Sequence, residues 1–81
     1  MIKNYEKTIT MELLIFKTNI RSLEGKENIS NILNEVLYIK KWSVDYQDCD
    51  GVLRIEAQEA CANEVIYLIN QAGFVCEELN D

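Results

Sequence analysis

Three cysteines, at positions 49, 61 and 76, are the softest ligands in this chain of 81 residues. No two stand in a C-x-x-C pair, the spacing that lets one loop hold a soft ion between two thiolates. Their number is odd and too small for the disulfide framework of a small secreted domain, so they read as free thiols in a reducing compartment. Histidine is absent, which removes the commonest general base and the commonest metal ligand. Two polar clusters remain. In TNIRSLEG (18–25), Arg21 stands just ahead of a helical pattern whose free N–H groups favour anions, Thr18, Asn19 and Ser22 add donors, and Gly25 closes the stretch. In DCDG (48–51), Cys49 lies between Asp48 and Asp50, one thiolate with two carboxylates. Each cluster has a plainer reading, and the plainer one outweighs the chemical one. Ser22 or a neighbour caps a helix, and the aspartates form a turn at a hairpin tip.

The elements that position these clusters follow from periodicity. MELLIFKT (11–18) is an apolar run without a breaker and predicts a central strand, Leu14 and Phe16 on one face, Leu13 and Ile15 on the other. KENISNILNEVLYI (26–39) repeats Ile29, Ile32, Leu33, Val36 and Leu37 at spacings of three and four, one stripe of a helix. Glu24 and Glu27 near its start and Lys40 and Lys41 at its end suit the helix dipole. KWSVDYQ (41–47) and VLRIEA (52–57) alternate in the manner of half-buried strands, joined through Asp50-Gly51 into a hairpin. QEACANEVIYLINQAG (58–73) predicts a second helix that buries Ala62, Val65, Ile66, Ile69 and Ala72 and stops at Gly73, and FVCEEL (74–79) a closing strand.

The order β-α-β-β-α-β is that of an α+β, ferredoxin-like sandwich: a four-stranded antiparallel sheet with both helices on one face. Only that arrangement buries both helical stripes on one core. Leu14, Phe16, Leu33, Val44, Leu53, Ile55, Ile66 and Ile69 are its expected members. The topology gathers 18–25, 47–51 and the turn at Gly73 at one end of the sheet. Cys61 falls at the opposite end, and Cys76 falls in the last strand as a small core or edge residue.

The length allows one domain, assigned to residues 11–81, with 1–10 either an N-terminal arm or a stretch ahead of a true start at Met11. A formal charge of −6 repels phosphate backbones and anionic membranes, so neither nucleic acid nor a membrane is an expected partner. No apolar run approaches the ~20 residues that span a bilayer, and no basic-then-apolar signal opens the chain. The expected location is the cytoplasm.

The stretch LLIFKTNIRSLEGKENISNILNEVLYIKKWSVDYQDCDGVLRIEA, followed by VIYLINQAGFVCEEL, resembles the heavy-metal-associated (HMA) domain of copper chaperones and metal-transporting ATPases. The likeness covers about residues 11 to 79. Its best pieces are KTNI leaving the first strand, WSVD in the second and AGF before the last. The resemblance implies the same ferredoxin-like fold. It also implies a C-x-x-C between the first strand and first helix, but those positions fall on Ser22 and Gly25, and neither residue is a soft-metal ligand. The expectation is therefore a non-catalytic binding or protein-interaction module without its family's metal site and without a cofactor. It would act on a protein partner or as a weak homodimer. An altered metal or redox role through Cys49 is the alternative. More remote is an anion-binding enzyme at 18–25, as in acylphosphatases, which share the fold and use an arginine and an asparagine; their glycine-rich loop is missing here.

Overall fold

The structure, a computed structural model, describes residues 11–59 and 62–79. Strand β1 (Met11–Thr18) leads to helix α1 (Leu23–Leu33), then β2 (Ile39–Val44), β3 (Leu53–Gln58), helix α2 (Ala62–Gln71) and β4 (Cys76–Glu78). The sheet order is β2-β3-β1-β4 and every pairing is antiparallel. This is the ferredoxin-like βαββαβ fold expected from the periodicity. Residues 1–10 and Cys61 lie outside the described residues, so the arm assigned to 1–10 does too.

The register follows from alternation. Leu14 stands opposite Ile55 and Phe16 opposite Leu53, and Val44 completes the row across β2. These residues face the helices. Leu13 and Ile15 stand opposite Glu56 and Arg54 on the other face. Phe16, Ile20, Ile29, Leu33, Leu53, Ile55, Val65 and Ile69 are fully buried. Val44 is nearly so, while Leu14 and Ile66 are only half-buried against the cluster. Ile20 joins the core although it lies in a stretch that reads as polar.

Both helices are displaced from their apolar stripes. Helix α1 begins at Leu23 rather than at 26, because the Ser22 hydroxyl accepts from the Gly25 N–H at 3.0 Å and caps the first turn. It ends at Leu33, five residues before Tyr38. Asn34 is the C-cap, and Glu35 and Val36 donate to the carbonyls of Ile32 and Leu33, three residues back, which tightens the exit. The Asn34 carboxamide oxygen accepts from the Trp42 indole N–H at 2.9 Å, tying that exit to β2. Leu37 therefore leaves the helix and is 88% exposed. Lys40 and Lys41, expected at the helix end, belong to β2.

Helix α2 is shorter than the stretch 58–73. Gln58 still belongs to β3, and Glu59 adopts a left-handed φ of 50°. At the other end Gly73 donates to Asn70 and Phe74 to Ile69, with Gly73 at φ 96°. This is a Schellman stop, and it uses the glycine's left-handed freedom. The closing strand shrinks to Cys76–Glu78, leaving Phe74 free to turn toward α1.

Candidate functional site

The three loops expected at one end of the sheet do meet there, and hydrogen bonds join them. The Thr18 N–H donates to the Asp50 carbonyl at 3.0 Å. The Thr18 hydroxyl donates to the Gly51 carbonyl and accepts from the Ile20 N–H at 3.1 Å. The Asn19 carboxamide oxygen accepts from the Val75 N–H at 2.8 Å, bridging to the approach of β4. Gly51, at φ 48°, lets the hairpin come this close: a Cβ there would stand 2.6 Å from the Thr18 carbonyl oxygen.

This network decides what the candidate residues do. Thr18 is buried and its hydroxyl is used in both directions, so it is a bolt between two loops rather than a free donor. Asn19 orders the turn before β4. Ser22 is the helix cap of the plainer reading. Gly25 lies in the first turn of α1, buried, and a Cβ built on it would stand 3.2 Å from Phe74 Cζ and 3.2 Å from Ile20 Cγ2. Arg21 is exposed. Phe74 and Ile20, neither singled out in the sequence as part of this end, form the wall over Gly25. The AGF tripeptide was the signal for Phe74, and the apolar Ile20 two residues after Thr18 was the signal for the other.

Cys49 sits at the hairpin tip, exposed, with Sγ 3.9 Å from Asp50 Oδ1. The same carboxylate oxygen lies 3.9 Å from Lys17 Nζ. Asp45 and Asp48 build the tip as consecutive turns: Asp48 donates to the Asp45 carbonyl at 3.2 Å, and Gly51 to the Asp48 carbonyl at 3.0 Å. Among the described residues, no three Cys, Asp or Glu side chains gather where they could hold a metal ion. Cys76 is buried, facing Thr18 across the β1–β4 pairing, and burial pushes its thiol up to about 12 from 9.0. It stays a neutral thiol at physiological pH, a poor ligand and a poor nucleophile.

No family model and no curated protein matches the sequence. Solved structures do match the fold. The HMA domain of the copper chaperone for superoxide dismutase, in its apo form, superimposes with a TM-score of 0.75 over 99% of this chain and 79% of that one, at 15% identity. The yeast copper transporter domain Ccc2a, solved in apo and Cu(I)-loaded states, superimposes with a TM-score of 0.73 over 85% of this chain and 96% of that one, at 18% identity. The chain has the fold of HMA domains, as the resemblance implied.

Proposed function

We propose that this chain is a non-catalytic, HMA-like binding module that engages a protein partner and has lost the metal site of the loop between β1 and α1. One observation carries the reading. At the two positions aligned with the family's thiolates, Ser22 spends its oxygen on the Gly25 N–H and Gly25 lies under the Phe74 ring, so the loop offers no soft donor and its second position is filled from outside. The three loops are instead fastened to one another by Thr18 and Asn19, which suits a fixed surface better than a loop that opens for an ion. No helix among the described residues is long and apolar enough to cross a membrane; the cytoplasm is the location proposed for this module.

Cu(I) is the ion to test, presented on a chromophoric chelator. The expected result is that the wild-type chain leaves the chelator's colour unchanged, whereas Ser22→Cys with Gly25→Cys draws Cu(I) away. A wild-type chain that strips the chelator stoichiometrically overturns the reading, and Cys49→Ala in the same titration shows whether that uptake belongs to an altered site at the hairpin tip. A double variant that still cannot compete after Phe74→Ala has cleared the ring from position 25 would show that the loop is not aligned with the family's metal loop.

A further inference from the structure

The sheet face away from the helices has a charge pattern that is complementary to itself. On it β3 presents Arg54 and Glu56, flanked on β1 by Ile15 and Leu13 and on β2 by Ser43 and Lys41. Two rows run across the strands: Lys41, Glu56 and Leu13 in one, Ser43, Arg54 and Ile15 in the next. A shallow depression of about 260 Å³ bordered by Leu13, Lys41, Ser43, Arg54 and Glu56 places these side chains on a common surface. Leu13 is 56% exposed. Among the described residues, neither Arg54, Lys41 nor Glu56 has an ion pair within 4.0 Å.

A two-fold axis laid across the strands, midway between the two rows, exchanges them. It sets Arg54 of one copy over Glu56 of the other, twice, and Leu13 over Ile15, twice, with each Lys41 over a Ser43. An isologous contact requires this property, that residue i meets j while j meets i. Facing sheets pack about 10 Å apart, within reach of Arg54 and Glu56 side chains. The overall charge points to the same face. Two chains of −6 repel, but this surface carries Lys17, Lys41 and Arg54 against Glu56, Glu77 and the Asp50 that Lys17 meets at 3.9 Å, three cations to three anions, so it is close to neutral and is where two copies can approach.

We infer that a second copy of this chain docks face to face on the open sheet, held by reciprocal Arg54–Glu56 pairs around an apolar centre of Leu13 and Ile15. Strands of 8, 6, 6 and 3 residues give a face of at most roughly 20 by 20 Å, about 400 Å² per copy, below the standard interface of about 800 Å² per partner. The dimer is therefore weak and sensitive to salt. The inference names the partner within the binding-module reading but is tested apart from it: a chain that ignores Cu(I) and stays monomeric loses this inference and keeps that one.

The test is sedimentation equilibrium of the full chain at low ionic strength, with two charge reversals. Arg54→Glu leaves only glutamates at the contact, and Glu56→Arg leaves only arginines. The wild type is expected to self-associate, each variant alone to do so at least about tenfold more weakly, and the equimolar mixture of the two to associate again, because every facing pair is then opposite in sign. Both positions are exposed, and matching melting curves will establish that each variant is folded. A monomeric wild type at millimolar concentration overturns the inference. So does a variant that associates as well as wild type, or a mixture no stronger than its parts.

Discussion

The Phe74 ring lies against Gly25: a Cβ built on the glycine would be 3.2 Å from Cζ and 3.4 Å from Cε1. The last loop thus closes over the first turn of α1 at the point where the resemblance places a metal-binding thiolate. Enlarging residue 25 has to move that ring. Gly25→Leu is expected to cost about 1–3 kcal/mol through overpacking, and Phe74→Ala in the same chain is expected to return part of it. Urea unfolding of the four proteins measures the coupling, expected at about 0.5–3 kcal/mol. Strict additivity would mean that the two residues do not touch.

Thr18 joins the hairpin tip to the exit of β1. Thr18→Val preserves shape but strands the Gly51 carbonyl and the Ile20 N–H away from water, an expected loss of about 1–3 kcal/mol. Gly51→Ala should be the more damaging of the two, because it combines a left-handed backbone with a Cβ 2.6 Å from a carbonyl oxygen. Denaturant midpoints rank them. An alanine variant as stable as wild type would contradict the close approach.

Leu33 is fully buried in the last turn of α1. Leu33→Ala is expected to cost about 2–5 kcal/mol, visible as a lower melting temperature. Leu37→Ala, in the same predicted stripe but 88% exposed, should change stability by no more than about 0.5 kcal/mol. Equal losses would restore the longer helix that the periodicity predicts.

The raised Cys76 thiol separates the cysteines chemically. At pH 8, alkylation followed by peptide mapping should label Cys49 quickly and Cys76 only at the rate of opening. The shift also enters stability. Because the folded state holds the Cys76 proton more tightly than the unfolded state, this contribution is intact below pH 9 and is lost as pH rises toward about 12. Its limit is one proton, about 1.4 kcal/mol per pH unit. Cys76→Val should flatten the alkaline fall in stability by that slope; an unchanged fall would assign it to other groups.

The order of elements, the strand faces and most of the core were legible in the sequence alone. Alternation at Leu53, Ile55 and Ala57 and the three-four spacing at Ile29 and Leu33 are local records of which face is buried, and burial of one face is what sets strand register. The absence of a C-x-x-C was equally plain, and Ser22 as cap was the simpler of its two readings. Three things were decided only by tertiary contact. Helix α1 ends at Leu33, ahead of Val36 and Leu37, because its C-cap Asn34 is held by Trp42 of β2, although the apolar stripe continues. Thr18 and Asn19 are tied into the fold: the Thr18 hydroxyl donates to Gly51 and accepts from Ile20, and the Asn19 oxygen accepts from Val75, 56 residues along the chain. Gly25 is roofed by Phe74, whose position depends on a helix stop at Gly73 and a strand that begins only at Cys76. Periodicity is a property of neighbours in sequence, whereas hydrogen-bond partners and the space around a glycine are set by segments that meet only once the chain has folded.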